Sequence, residues 1–224
     1  MSLEKVTAIG RADPKRGYDD ACGTAHALEL IGERWALLVL REMMLGPRRF
    51  SGLRDDLPGI SANVLTQRLG ELEERGLVRR RRLPPPASVQ VYEATEWGLQ
   101  AEPIVQALGR WAARSPRHDP TLPISGVSIL LSFRTMIDRA AARDWNSRIG
   151  FRFGETSYIA HIHHGSIDIA RGEVVGCDAL FDGEPTQIAA IVYGGAPLDT
   201  VRVDGDEDLA RRFLTLFTLP PKIG

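Results

Sequence analysis

The chain has 224 residues, 43% hydrophobic and 25% charged, which suits a soluble protein with a packed core and room for two small domains. A formal net charge of −1 excludes attraction to a polyanion through the total, so any such attraction has to come from a local patch. Cys22 and Cys177 are far apart, which argues against a disulfide framework and a cysteine zinc site. No apolar run reaches the roughly 18 residues of a membrane span, and the first residues lack the apolar core of a signal peptide, so a cytoplasmic protein without membrane contact is expected.

After an N-terminal arm over residues 1–19, Leu28, Ile31, Trp35, Leu38 and Val39 recur at spacings of three and four, which predicts one helix over 25–44 that Gly46-Pro47 ends. A short second helix follows over 50–57, with Phe50, Leu53 and Leu57 on one face. Pro58-Gly59 breaks the chain, and Ser61 is placed to cap a third helix with an inner stripe of Leu65, Leu69 and Leu72. Gly76 stops that helix. Two strand-like runs, 77–83 and 88–94, flank Pro84, Pro85 and Pro86 and predict a long hairpin. Thr95 is then placed to cap a last helix over 96–114 that carries Trp97, Ile104, Leu108 and Trp111.

Helix, tight turn, helix and an arginine-bearing hairpin is the order of a winged helix-turn-helix. With Leu65, Leu69 and Leu72 inward, Asn63 and Gln67 turn outward, Thr66 lies on the flank and Ala62 near the helix start. Asn and Gln side chains can bond adenine bidentately, and Thr can pair with a base or meet a thymine methyl. Between positions 48 and 82 there are nine arginines against five acids. Those of the first wing strand alternate faces, which suits phosphate contacts or entry into a narrow minor groove. The candidate DNA-contact set is Arg48, Arg49, Ser61, Ala62, Asn63, Thr66, Gln67, Arg68, Arg79, Arg80, Arg81 and Arg82, with double-stranded DNA as the expected partner.

Residues 115–123 hold three prolines in a polar context and read as a linker between a domain over 20–114 and one over 124–224. Beyond it, a helix is predicted over 127–142 and strands over 147–154, 157–164 and 166–171. A strand over 179–181, a helix over 185–193 that opens on Pro185, a strand over 200–203 and a helix over 207–216 complete the pattern. An antiparallel sheet with helices on one face makes this an α+β domain. His161 and His163 share a strand face, with His164 on the other. No third ligand stands at a telling spacing, so neither a metal nor a cofactor is expected. No nucleophile elbow, phosphate loop or zinc-protease motif is present, which argues against an enzyme.

The runs CGTAHALELIGERWALLVLR (22–41), RRFSGL (48–53), LPGISANVLTQRLGELEERGLVRR (57–80) and YEATEWG (92–98) resemble the HxlR family of bacterial winged-helix transcription regulators. The resemblance implies a homodimer, formed through helices flanking the wing domain, on a pseudo-palindromic operator. The family's usual Cys-Pro is Cys22-Gly23 here. Some relatives use a cysteine at this place as a redox sensor, which makes Cys22 a candidate sensor and His26 a candidate for stabilising its thiolate; a small buried hydrophobe is the alternative. The runs CDALFDGEPTQIAAI (177–191) and VDGDEDLARRFLTLF (203–217) resemble the sterol carrier protein 2 fold. That implies an apolar cavity between sheet and helices and an apolar small-molecule effector, against the alternative of a filled core. A rival to the regulator is a lipid or small-molecule carrier whose N-terminal domain makes protein contacts.

Overall fold

A computed structural model describes residues 17–224, so the arm expected over 1–19 lies outside it except for its last residues. The helix expected over 25–44 is two helices, α1 (Gly23–Ile31) and α2 (Ala36–Arg41). Two local features break it. A Cβ at Gly32 would stand 2.4 Å from the Leu28 carbonyl oxygen, and Trp35 takes a left-handed φ of 76°. That conformation costs a residue with a Cβ roughly 1–2 kcal/mol. It sets the indole against the turn at Gly59, which itself needs a φ of 92°.

Helices α3 (Phe50–Asp55) and α4 (Ala62–Glu74) follow. Ser61 caps α4 by accepting the Val64 N–H at 3.3 Å; Leu65, Leu69 and Leu72 are buried, and Gly76 ends the helix at a φ of 73°. The wing pairs β1 (Val78–Arg82) with β2 (Gln90–Ala94), Val78 opposite Ala94 and Arg82 opposite Gln90. Arg48 adds a bridge to Tyr92 on β2.

The helix expected over 96–114 is also two, α5 (Glu96–Leu99) and α6 (Glu102–Ala112). Pro103 has no N–H to continue a helix and fits only its first turn, where it lies in α6. Thr95 caps α5 by accepting the Gly98 N–H at 3.0 Å and donates its hydroxyl to the Gly76 carbonyl at 2.7 Å, which ties α5 to the end of α4.

The C-terminal part is a mixed sheet and helix domain. Its first helix, α7 (Gly126–Met136), is shorter than the 127–142 expected. Ile137 turns to extended backbone and bridges Phe217, while the Asp138 carboxylate takes the N–H groups of Ala140 and Ala141 in a turn. Then come β3 (Asn146–Phe153), β4 (Thr156–His163), β5 (Ser166–Arg171), β6 (Ala179–Asp182), α8 (Pro185–Gly194), β7 (Arg202–Gly205) and α9 (Glu207–Leu214). The sheet order is β5-β4-β3-β6-β7.

The sheet is mixed, where the alternation alone had pointed to antiparallel pairing. β6 runs parallel to β3, with Ile149 opposite Ala179 and Phe151 opposite Phe181, because the chain leaves β5 at one edge and crosses to the far side of β3. The crossing passes over Gly150, where a Cβ would meet Val174 Cγ1 and Cys177 Sγ at 3.1 Å each.

On the other face, Phe151 and Phe181 pack with Phe133 of α7 and Phe213 of α9, and Phe133 stacks on Phe217 at 4.3 Å. Each fully buried ring is worth roughly 1.5–3 kcal/mol. Aromatic side chains therefore pack between this part of the sheet and helices α7 and α9.

One continuous hydrophobic cluster runs through both parts of the chain, and α6 packs along α7. Polar ties reinforce the contact. Ser125 Oγ donates to Glu42 Oε1 at 2.8 Å, Arg134 Nη1 reaches both Glu102 oxygens at 2.7 Å, and Arg171 Nη1 donates to the Pro47 carbonyl at 3.0 Å. Glu42 is fully buried and also takes Nε and Nη2 of Arg41 at 2.8 and 2.6 Å. Among the described residues no helix is long and apolar enough to cross a membrane.

Candidate nucleic-acid interface

Burial of the α4 leucine stripe decides what the helix shows to solvent. Ser61, Ala62, Asn63, Thr66 and Gln67 are all exposed, in the arrangement the leucine spacing predicts. Two are engaged within the helix: the Thr66 hydroxyl donates to the Ala62 carbonyl at 2.9 Å, and the Gln67 amide donates to Glu71 Oε1 at 2.9 Å. The second amide N–H and the amide oxygen of Gln67 remain for a base edge. Asn63 stands one turn earlier on the same face.

The wing lies beside this helix. Arg79, Arg80, Arg81 and Arg82 are exposed, and Arg80 Nε comes within 3.9 Å of Glu73 Oε1 on α4. Strand alternation divides them. Arg79 Nε and Arg81 Nε both donate to Glu93, directly across the hairpin, at 2.6 and 2.7 Å. Burial pushes the Glu93 carboxyl up, but the hydrogen bonds and charges of Arg81 and Arg79 outweigh it and hold the group below the usual carboxylate range. One carboxylate thus offsets part of the charge of two arginines. On the opposite face, Arg82 Nε donates to the Ser88 carbonyl at the wing tip. Glu93 was missed in the sequence; hairpin register, which sets it opposite Arg79, is the signal that finds it.

Two of the candidate arginines are not at the surface. Arg48 is 8% exposed and its guanidinium is bound to Asp56, to the Gly52 carbonyl at 3.1 Å and to Tyr158 Oη at 3.5 Å. Arg68, also 8% exposed, turns from the outer face of α4 to bind Glu71, with Glu33 at 3.7 Å. A buried guanidinium with internal partners is a structural cross-link, so both leave the candidate set. Arg49, next to Arg48, is exposed.

Cys22 is exposed at the N-cap of α1. Its thiol is pushed below the ordinary cysteine value by the backbone N–H groups of Thr24 and Ala25 and by the Thr24 side chain, the effect of a helix N-terminus on an anion. His26 is not the cause: its Nδ1 lies 3.1 Å from Glu29 Oε2. In the second part, His161 and His163 share a face of β4 with ring centroids 4.8 Å apart, while His164 has left the strand for a turn at a φ of 47°. His163 Nε2 meets Asp168 Oδ2 at 2.7 Å, and among the described residues no group of three or more His, Cys, Asp or Glu is placed to hold a metal ion.

A capped helix with an exposed polar face, preceded by a tight turn and followed by a hairpin, defines a winged helix-turn-helix. The family model for "HxlR-like helix-turn-helix" matches residues 30–119. An uncharacterized HTH-type transcriptional regulator of Synechocystis sp., sll1512, is 36% identical over 111 residues, which cover 47% of this chain and 82% of that protein. The HTH-type transcriptional regulator YodB of Bacillus subtilis is 36% identical over 86 residues, covering 38% and 77%. The solved structure of YodB in its reduced form has 32% identity and a TM-score of 0.40, covering 45% of this chain and all of that one. The chain belongs to the HxlR-like helix-turn-helix family, and its N-terminal region is that of a transcriptional regulator.

Proposed function

We propose that the chain regulates transcription as a homodimer bound to a pseudo-palindromic DNA operator. The observation that carries the reading is the exposed Asn63, Thr66 and Gln67 face of α4 with the wing arginines beside it. In this reading Asn63 and Gln67 read base edges, with Ser61, Ala62 and Thr66 at the same groove. Arg49 and the wing arginines, Arg80 and Arg82 foremost, neutralise phosphates.

Dimerisation is supported by large apolar side chains that stay exposed among the described residues. Leu28, Leu38, Trp97, Ile104, Leu108 and Trp111 are each at least 40% exposed, and Trp111 reaches 73%. Exposed apolar side chains of this size mark an interface, and in this reading a second copy sets the two α4 helices one turn of DNA apart, about 34–36 Å.

The domain over 20–114 then binds DNA and dimerises, 115–123 connects, and 124–224 takes a sterol carrier protein 2-like fold. That last assignment rests on the motif runs at 177–191 and 203–217 and on the α-β-β-β-β-α-β-α order of this part. The protein acts in the cytoplasm and catalyses no reaction, and Cys22 is a candidate redox sensor.

Selection of bound duplexes from a random pool, followed by a salt titration, tests the reading. A palindromic consensus is expected, with log K falling linearly against log salt at about −0.9 per neutralised phosphate. Failure to enrich any duplex, or salt-independent binding, removes it.

A further inference from the structure

Between α2, α6, α7 and α8 lies a cavity of about 410 Å³, in the range of small-molecule sites. Leu38 of α2, Leu108 of α6, Leu131 of α7 and Ala189 of α8 give it apolar walls. Among its polar lining residues, Ser132 on α7 and Tyr193 on α8 form a pair, with hydroxyl oxygens 2.8 Å apart. Ser132 also donates to the Ile129 carbonyl at 2.7 Å. A serine hydroxyl has one proton, so within the pair Tyr193 donates and its own oxygen keeps acceptor capacity. Burial pushes this phenol up to about 12, which keeps it neutral. Of the charged side chains, Arg41 lines the cavity, and its Nε and Nη2 are given to buried Glu42. His118 is held below the usual histidine value by burial and by nearby Lys222, which favours its neutral form.

We propose that this cavity binds a neutral, largely apolar small molecule carrying one O–H or N–H donor directed to Tyr193, and that its occupancy adjusts the winged-helix part. The site is distinct from the space between the sheet and helices α7 and α9, in which phenylalanines pack. Two of its walls belong to the winged-helix part: α2, which packs on α4, and α6. Leu38 and Leu108 sit both at the cavity and on the exposed apolar surface. An occupant therefore touches the helix that supports α4 and the edge of the surface assigned to dimerisation. It shifts the equilibrium between two arrangements only by its difference in affinity for them. The regulatory half rests on the DNA-binding reading above; the binding half does not.

The test titrates full-length protein with N-phenylnaphthylamine, a neutral fluorescent probe with two aromatic lobes and one N–H, and with anilinonaphthalene sulfonate, the same skeleton bearing a charge. Gly109 of α6 lines the cavity and a Cβ there meets nothing within 4 Å, so Gly109→Phe places a ring in the space and Gly109→Ala serves as its control. Saturable binding of the neutral probe, one per chain, is expected for wild type and Gly109→Ala, with loss in Gly109→Phe. Tyr193→Phe weakens the probe about fivefold, the value of one hydrogen bond. The sulfonate binds at least about tenfold more weakly than the neutral probe. Undiminished binding by a folded Gly109→Phe, no effect of Tyr193→Phe, or equal binding of the sulfonate overturns the site.

In the same samples, saturating probe is expected to change the affinity for a selected duplex several-fold in wild type and not in Gly109→Phe. Probe binding without that change overturns the regulatory half. Failure to select any duplex removes the DNA-binding reading and leaves the site standing.

Discussion

Ser125→Ala removes two interactions at the junction between the parts of the chain. The Ser125 hydroxyl oxygen caps α7 by accepting the Ser128 N–H at 3.0 Å, and its proton goes to Glu42 Oε1 at 2.8 Å. Loss of a serine N-cap costs about 1 kcal/mol. Loss of a hydrogen bond to a buried charged group costs about 1.5–3 kcal/mol, and Glu42 is fully buried with its other oxygen, Oε2, lacking a partner among the described residues. The sum is about 2–4 kcal/mol, with Ser125→Thr keeping both bonds and most of the stability. Urea unfolding followed by circular dichroism measures it, as a midpoint lower by about 1 M at a slope of about 3 kcal/mol per M. In a Glu42→Gln background the Ser125→Ala loss should shrink toward the cap value, since part of it is coupling between the two side chains. A loss below about 1 kcal/mol, or full additivity with Glu42→Gln, would refute the charged bond as a tie between the parts.

Asn63→Ala and Gln67→Ala should each cost about 1–3 kcal/mol at one operator base, read by competition among single-base variants, whereas Arg80→Ala should weaken all duplexes alike and lower the salt slope by about one. Arg68→Ala should leave base preference intact and instead lower folding stability by about 1–3 kcal/mol in urea, because the side chain is an internal partner of Glu71. Trp111→Asp should raise the dimer dissociation constant about 30-fold or more in sedimentation equilibrium, the loss expected of a buried aromatic anchor. Cys22 should alkylate faster than Cys177 near neutral pH, and its rate should reach half-maximum at lower pH than a free thiol. The helix N-terminus favours the Cys22 thiolate, while burial raises Cys177. Mass spectrometry showing Cys177 modified first would contradict this.

The frame of the winged-helix part was legible because its signals are local. Ser61, the leucine stripe and Gly76 each act within one helix turn, and the three prolines of the wing tip can only lie outside a ladder. Two helices were read as continuous across breaks. Pro103 is a breaker that the apolar spacing overrode, whereas the left-handed Trp35 follows from its packing on Gly59, which periodicity does not register. Arg48 and Arg68 read as surface residues because the groups that bury them, Tyr158 for Arg48 and Glu33 for Arg68, are brought in by the tertiary fold, although Glu71 stands three residues on in α4. Strand alternation located β3 to β6 within about a residue, yet it is blind to which strand neighbours which. The parallel β3–β6 pairing depended on the path over Gly150.

The Arg48 cross-link bears on how the wing meets a duplex. Its backbone exchanges both hydrogen bonds with Tyr92 of β2 at 2.8 Å, while its side chain is held by Asp56 at the end of α3 and by Tyr158 of the distal sheet. Arg171 braces the same point through Tyr158 Oη and the Pro47 carbonyl. The root of the wing is thus anchored on three sides before any partner arrives, so the ordering entropy that a loosely tethered hairpin would lose on docking is already spent in folding. A groove of the wrong width then has to deform to fit a stiff gauge, and discrimination among duplexes by their bendability would follow from the anchoring of one residue that touches no DNA.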